Sequence, residues 1–240
     1  MSDGAEVADR LASVRTRIAA AAKSAGRSEQ SICLVGVSKR QSPAKIVAAL
    51  RAGLHDLAEN YVQEAVRKIP TVLEPLRDDE LRPRWHFIGQ LQRNKTRDVA
   101  RLFDCVSCID REKLGAELDR RAGIEQRSLE VLLQVNLSGE AHKGGVAPNE
   151  VPGLLASSQR WPQLRVTGLM TLPAAEADPE ANRPIFARLR ELRDTLRSEP
   201  GGEHLSELSM GMSGDFEVAI EEGATIVRVG TAIFGTRSER

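Results

Sequence analysis

The sequence predicts an α/β protein: a single (β/α)8 barrel of the TIM type with an extra N-terminal helix. About eight short apolar segments alternate with helical segments, which favours parallel strands joined by crossover helices. The 240 residues suit such a barrel, and no linker divides residues 1–240 into separate domains. The strands are apolar at nearly every position, and none resembles the polar edge of an open sheet. A doubly wound open sheet is the main alternative.

The N-terminal segment predicts an amphipathic helix. Its apolar residues recur at spacings of 4, 3 and 4: Val7, Leu11, Val14 and Ile18. Gly26 ends this helix, and the apolar segment SICLVGVSK (31–39) is typical of a strand covered on both faces. Ser42 and Pro43 then form the N-cap and first turn of a helix that runs to Gly53.

The remaining elements repeat this alternation. Strands are predicted in HDLAE (55–59), WHFIG (85–89), CVSCI (105–109), LEVLLQVN (129–136), LRVTGLMTL (164–172), LSELSMG (205–211) and TIVRVG (225–230). Helices are predicted over 60–69, 92–103, 110–124, 149–159, 180–198 and 213–223. Asp110 is expected to cap the helix over 110–124. The last ten residues, TAIFGTRSER (231–240), hold at most a short helical turn.

The composition argues against several classes of protein. With 34 basic and 34 acidic residues the chain has no net charge, which gives no support for a nucleic-acid or membrane partner. The sequence carries no pattern of a secretory signal or a membrane span, so we expect a cytoplasmic protein. The three cysteines, Cys33, Cys105 and Cys108, are too few for a disulfide framework. Cys105 and Cys108 are expected on opposite faces of one strand, so no metal site is predicted.

Lys39 ends the first predicted strand, and the chemistry of a barrel takes place at the carboxyl ends of its strands. A lysine in a partly apolar mouth loses hydration, which lowers the pKa of its ammonium group. The neutral amine is then a nucleophile towards carbonyl groups. In the alternative interpretation, the stem of Lys39 lies on the barrel rim and its amine reaches solvent.

Glycine and hydroxyl residues follow the last two strands. Ser213 precedes a helix, and Gly230 and Thr231 follow the eighth strand directly. In barrels, these two loops often bind a phosphate through backbone N–H groups. Ser213 could also cap its helix, a role compatible with phosphate binding. An amine at Lys39 facing a phosphate site predicts pyridoxal 5′-phosphate (PLP), which has both an aldehyde and a phosphate; a sugar-phosphate aldolase fits less well.

Seven motifs resemble those of the pyridoxal-phosphate homeostasis proteins, a family related to the N-terminal barrel of alanine racemase. They are VSK (37–39), ENYVQE (59–64), WHFIGQLQRNK (85–95), the spaced pattern VN…E..K.G (135–144), GLM (168–170), LSMGMS (208–213) and VRVGTAIFG (227–235). They follow the family's order from about residue 5 to residue 236. The chain therefore resembles this family over essentially its whole length.

The resemblance implies a largely monomeric barrel that binds PLP as an internal aldimine of Lys39. At the phosphate it implies Ser213, Gly230 and Thr231, with Met210 and Gly211 shaping the same loop. It also implies Asn60 close to the cofactor ring and Arg228 near the pyridine nitrogen. An arginine there keeps the nitrogen unprotonated, which weakens the ring as an electron sink.

The implied function is to hold PLP and deliver it, with apo PLP-dependent enzymes as candidate partners, in vitamin B6 homeostasis and without robust catalysis. The alternative is a PLP-dependent amino-acid racemase, which needs a tyrosine opposite the lysine. The single tyrosine, Tyr61, is expected to pack in the helix after the second strand, and no second domain is expected in this chain.

Three further residues carry expectations of their own. Some relatives have a second lysine where this chain has Gln41, which leaves Lys143 as a candidate for a secondary PLP contact. His86 is expected either to face the cofactor ring or to form a hydrogen bond to a loop at the rim.

Overall fold

Eight parallel strands close into a barrel in the computed structural model, which describes residues 3–79, 81–138, 144–174 and 176–236. Each strand pairs with the next in sequence, and the last pairs with the first. The strands are β1 Cys33–Val37, β2 Asp56–Glu59, β3 Arg84–Phe87, β4 Cys105–Ile109, β5 Leu129–Gln134, β6 Leu164–Met170, β7 Glu207–Ser209 and β8 Ile226–Val229. The predicted barrel is confirmed, and the open sheet is excluded.

A helix follows each strand on the outside of the barrel, and one helix precedes the first strand. They are α1 Asp3–Ser24, α2 Pro43–Arg51, α3 Val62–Leu73, α4 Thr96–Leu102, α5 Glu112–Ile124, α6 Val151–Ser158, α7 Arg183–Leu196, α8 Phe216–Glu221 and α9 Thr231–Phe234. Short 3-10 helices cover Glu29–Ser31, Glu74–Leu76, Arg93–Lys95, Pro148–Glu150 and Pro179–Asn182. Among the described residues, none of the helices is both long and apolar enough to cross a bilayer.

The extra N-terminal helix α1 covers the place where the barrel closes. Its predicted apolar stripe is buried: Val7, Leu11, Val14 and Ile18. The helix packs against α2, α8 and α9, the helices that follow the first and the last two strands. Arg17 of α1 also pairs with Glu217 and lies over the Phe216 ring of α8 at 4.5 Å. Burial of this stripe therefore stabilises the barrel where the last strand meets the first.

The helix starts agree with the sequence at α2 and disagree at α5. Ser42 caps α2 by accepting a hydrogen bond from the Lys45 N–H, and Pro43 is the first helical residue, as predicted. The prediction that Asp110 caps α5 is wrong, because Arg111 occupies the N-cap position of this helix and forms no side-chain cap. Asp110 follows β4 directly, so it lies one position too early, and its carboxylate pairs with Arg111 instead.

The cysteines are free thiols in and near the barrel wall. Cys105 and Cys108 are buried on β4, and Cys33 begins β1. Burial raises the pKa of Cys33 to about 12 and also raises that of Cys108, so these groups stay protonated at neutral pH.

Candidate functional site

A cavity of about 500 Å³ lies at the carboxyl ends of the strands. Its wall consists of residues from the ends of six strands or from the loops that follow them, and its volume suits a small organic ligand. Six of the eight site residues predicted from the sequence line it: Lys39, Asn60, Ser213, Arg228, Gly230 and Thr231. The other two, Met210 and Gly211, lie in the same loop as Ser213 but not in the cavity wall.

Lys39 reaches the cavity wall from a tight turn after β1. The turn is closed by a hydrogen bond of 3.0 Å from the Gln41 N–H to the Ser38 carbonyl, and Lys39 and Arg40 are its two central residues. Lys39 is half-buried, whereas Arg40 is exposed with its guanidinium 5.9 Å from the centre of the Tyr61 ring. The turn therefore sends two adjacent cationic side chains to different environments.

The loops after β7 and β8 form one wall of the cavity and are joined to each other. The Gly230 N–H donates a hydrogen bond of 3.2 Å to Ser213 Oγ. Within the described residues, the backbone N–H groups of Ser213, Gly214 and Thr231 donate none to the protein. Unpaired N–H groups on a concave wall suit an anion such as a phosphate. Ser213 does not cap α8, whose N-cap residue is Asp215.

Asp215 holds the loop after β7 in place. Its Oδ1 accepts a hydrogen bond of 2.6 Å from the Met212 N–H, and its Oδ2 accepts one of 2.8 Å from Asn182 Nδ2. The same amide of Asn182 donates to the Ala174 carbonyl at 3.0 Å, so the loop after β6 is tied to the same carboxylate. Gly211 allows the chain to turn here with a φ of 89°, and a Cβ at this position would lie 2.6 Å from Ala219 Cβ.

Arg228 is a buried cation whose hydrogen bonds go to neutral oxygens. Only 3% of its surface is exposed, and its guanidinium donates to Ser209 Oγ at 2.7 Å and to the Thr171 carbonyl at 2.9 Å. Burial lowers the pKa of Arg228 to about 10, and the charge of Asp215 opposes this shift. The side chain therefore stays positively charged at neutral pH within the cavity wall.

Asn60 follows β2 and presents an unpaired oxygen. Its Oδ1 is buried and has no hydrogen-bond partner among the described residues. The backbone of Asn60 is packed so closely against Gly89 that a Cβ there would lie 2.0 Å from the Asn60 carbonyl oxygen. A buried acceptor without a partner is unfavourable, so a bound ligand with a donor group would satisfy it.

These groups fit the PLP predicted from the sequence. The cavity wall holds a primary amine at Lys39 and, without partners in the part of the chain that the structure describes, N–H donors in the last two loops and an amide oxygen at Asn60. PLP is a small ring that carries an aldehyde, a phosphate and a ring hydroxyl, and each of these has a complementary group in the wall.

His86 lies elsewhere, so both expectations for it are wrong. Its side chain points towards the amino end of the barrel, where Nε2 lies 2.8 Å from Asp56 Oδ1, and the residue is 1% exposed. Side chains alternate between the two faces of a strand, and this alternation places His86 of β3 in the barrel interior. There it lies next to Asp56, the first residue of the neighbouring strand β2. It therefore neither faces the cavity nor reaches a rim loop.

Tyr61 also differs from the expectation. It stands at the N-cap position of α3 and is 48% exposed, so it does not pack in that helix. The residue lies under the Arg40 guanidinium and outside the cavity wall. Lys143, the candidate for a secondary contact, falls outside the residues that the structure describes.

Sequence reasoning missed several residues around the cavity. Asp215 and Asn182 had no assigned role, although an acidic residue just after a glycine-rich loop is a signal for one. Glu64 and Lys68 of α3 were also missed. Lys68 interrupts the buried stripe of that helix, which also includes Ala65, Ile69 and Val72, and a lysine among apolar residues at helical spacing is a visible signal.

The sequence of the chain is similar to those of known proteins. The sequence model of the family described as "Alanine racemase, N-terminal domain" matches residues 10–238. The pyridoxal phosphate homeostasis protein of Pseudomonas aeruginosa is 44% identical over 232 residues, which cover 96% of each chain.

Two solved structures are informative neighbours. PipY of Synechococcus elongatus, solved with PLP bound, is 34% identical with a TM-score of 0.82; the match covers 95% of this chain and 100% of that one. Alanine racemase from Corynebacterium glutamicum has a TM-score of 0.66 at 20% identity, and the match covers 97% of this chain and 62% of that one. The second likeness concerns the fold alone.

Proposed function

The chain belongs to the alanine racemase N-terminal domain family and, within it, to the pyridoxal phosphate homeostasis proteins, and we propose that it binds PLP and acts in PLP (vitamin B6) homeostasis. The observation that carries this proposal is the meeting of Lys39 with the unpaired N–H groups of two loops in one cavity. When bound, PLP supplies an aldehyde that reacts with amines and a phosphate that needs N–H donors.

Each of the eight site residues predicted from the sequence has a proposed role. Lys39 provides the amine that attaches PLP covalently, and Asn60 and Arg228 contact its ring. Ser213, Gly230 and Thr231 bind the phosphate, while Met210 and Gly211 shape the loop between β7 and α8. Arg228 remains charged because its pKa of about 10 lies above neutral pH. A cation beside the ring nitrogen disfavours its protonation, which suits holding the cofactor better than turning over a substrate.

We propose that this holding function comes without robust catalysis. A racemase of the two-base type needs a second proton donor across the ring from the lysine. The only tyrosine of the chain, Tyr61, lies outside the cavity wall. We therefore expect the PLP-loaded protein to form no D-alanine from L-alanine beyond the rate of free PLP. Turnover that Lys39→Ala abolishes would support the racemase instead.

The proposed cellular role is delivery of PLP by a cytoplasmic monomer whose residues 1–240 act as one domain. The nearly full mutual coverage with the relative from Pseudomonas aeruginosa supports a single domain. Incubation of the loaded protein with the apo form of a PLP-dependent enzyme should restore that enzyme's activity faster than dilution of free PLP at the same concentration. Equal rates would argue against delivery.

The central experiment is covalent trapping. The purified protein is incubated with PLP, reduced with borohydride, digested and analysed by mass spectrometry. We expect a visible absorbance band and a phosphopyridoxyl label on the peptide that contains Lys39. Lys39→Ala should abolish both, whereas Lys113→Ala, at an exposed lysine of α5, should change neither. A label confined to other lysines would refute the assignment of Lys39.

A further inference from the structure

The turn that carries Lys39 is under backbone strain. Its second central residue, Arg40, has a φ of 59°, a left-handed value that favours glycine. In the described part of the chain, only Gln126 shares such a φ among residues other than glycine. Arg40 has no glycine-like freedom, so contacts from elsewhere must stabilise the turn.

Two side chains of α3 hold the turn on both sides of Lys39. Lys68 Nζ donates a hydrogen bond of 2.8 Å to the carbonyl of Ser38, the residue before Lys39. Glu64 Oε1 accepts one of 2.6 Å from the N–H of Arg40, the residue after it. Lys68 and Glu64 are also paired with each other, one helical turn apart. The peptide groups that flank Lys39 are therefore fixed by one ion pair.

The same ion pair is anchored to the end of β2. Lys68 Nζ lies 2.9 Å from Glu59 Oε1, and this oxygen also accepts a hydrogen bond of 2.7 Å from Ser38 Oγ. Glu59 is fully buried and directly precedes Asn60, which lines the cavity. Two residues of the cavity wall, Lys39 and Asn60, are thus held relative to each other through side chains that lie outside that wall.

We propose that Glu64 and Lys68 are positioning residues that direct the Lys39 amine towards the loops after β7 and β8. Neither residue lines the cavity, so their effect passes through the backbone of the turn. The inference rests on the proposed function, because it concerns the residue to which PLP attaches.

The test measures the rate of PLP attachment to Lys39, trapped by borohydride and quantified by mass spectrometry. Glu64→Ala removes the acceptor of the Arg40 N–H, and we expect attachment to slow by about tenfold, the effect of one charge-assisted hydrogen bond. Glu64→Gln keeps an acceptor oxygen and should recover most of the rate. Lys68→Met should slow attachment in the same direction. Gln63→Ala, at an exposed neighbour on α3, is the matched control and should change nothing.

A second substitution separates positioning from general stabilisation of α3. Arg40→Gly removes the strain of the positive φ, so it should restore attachment in the Glu64→Ala background. Arg40→Ala removes the same side chain but keeps the strain, so it should not. Circular dichroism and thermal unfolding establish that each variant is folded. An unchanged rate in folded Glu64→Ala, or equal restoration by both Arg40 variants, would overturn the proposal.

Failure of the proposed function has a different signature. If wild-type Lys39 takes no PLP label, its reactivity is measured with acetic anhydride, with Lys113 as the internal reference. Positioning by Glu64 then predicts that the ratio of labelling at Lys39 to labelling at Lys113 changes by at least about twofold in Glu64→Ala. An unchanged ratio would reject the positioning role independently of PLP.

Discussion

Inside the barrel, charged side chains are used in opposite ways at the two ends. At the amino end, cations and carboxylates pair with one another: His86 and Arg84 with Asp56, and Arg84 and Arg165 with Glu130. At the carboxyl end, the hydrogen bonds of the buried Arg228 go to a hydroxyl and a carbonyl group, and the N–H groups of Ser213, Gly214 and Thr231 have no acceptor among the described residues. The amino end is thus compensated internally, whereas the carboxyl end is suited to an external anion.

The largest expected effect comes from a substitution that removes an ion pair at the amino end only. Asp56→Ala leaves the buried His86 without its carboxylate, and we expect the free energy of unfolding to fall by about 3–5 kcal/mol. Urea unfolding measures this change, and PLP titration of the folded variant should give the wild-type affinity. Asp79→Ala, which breaks an exposed pair with Arg51, is the control and should cost less than about 1 kcal/mol. A loss of PLP affinity with normal stability would contradict the division between the two ends.

The pH dependence of stability gives the next largest effect. Burial lowers the pKa of His86, but the Cys105 sulfur and the Asp56 carboxylate raise it by more, to about 9. The pKa of His86 in the folded protein lies above its value of about 6.5 in the unfolded chain. Its contribution to the free energy of unfolding is therefore complete below pH 6.5 and is lost as the pH rises through about 9. The free energy of unfolding should fall by about 3 kcal/mol over this range. Urea unfolding between pH 6 and 10 should show this decline in the wild type and a flatter profile in Asp56→Ala, because this variant lacks one of the two groups that raise the pKa of His86.

The strand order could be predicted from the sequence because it depends on a local pattern. Each apolar segment is recognised from neighbouring residues, and sequential parallel pairing then closes the barrel. The same geometry sends the ends of all strands to one mouth, which is why Lys39 and Arg228, far apart in sequence, were expected in one cavity.

The contacts that could not be predicted are those between side chains of different strands and helices. The pairing of His86 with Asp56 requires the register of β2 against β3, in which Asp56 lies opposite Arg84 and His86 opposite Ala58. The contact of Lys68 with Ser38 requires the angle at which α3 packs on the turn after β1. Neither register nor packing angle follows from residue spacing within one element.

A smaller effect, on the affinity for PLP, is expected at the carboxyl end. Ser213→Ala removes the hydroxyl that joins the two loops, and we expect the affinity for PLP to fall about tenfold, the effect of a lost hydrogen bond. The affinity for pyridoxal, which lacks the phosphate, should change little. Ser31→Ala, in the exposed 3-10 helix before β1, is the control. Equal losses for both ligands would place Ser213 away from the phosphate.

The smallest effect concerns Asn60, because its buried oxygen forms no stabilising hydrogen bond with the described residues. Asn60→Ala removes a buried acceptor that has no partner among the described residues, so the free energy of unfolding should stay within about 0.5 kcal/mol of wild type. The PLP affinity should nevertheless fall about threefold, since the ligand would lose one neutral hydrogen bond. Asn94→Ala, at an exposed position, should change neither quantity. A destabilised Asn60→Ala with normal PLP affinity would mean that Asn60 serves the fold, as the residues of the amino end do.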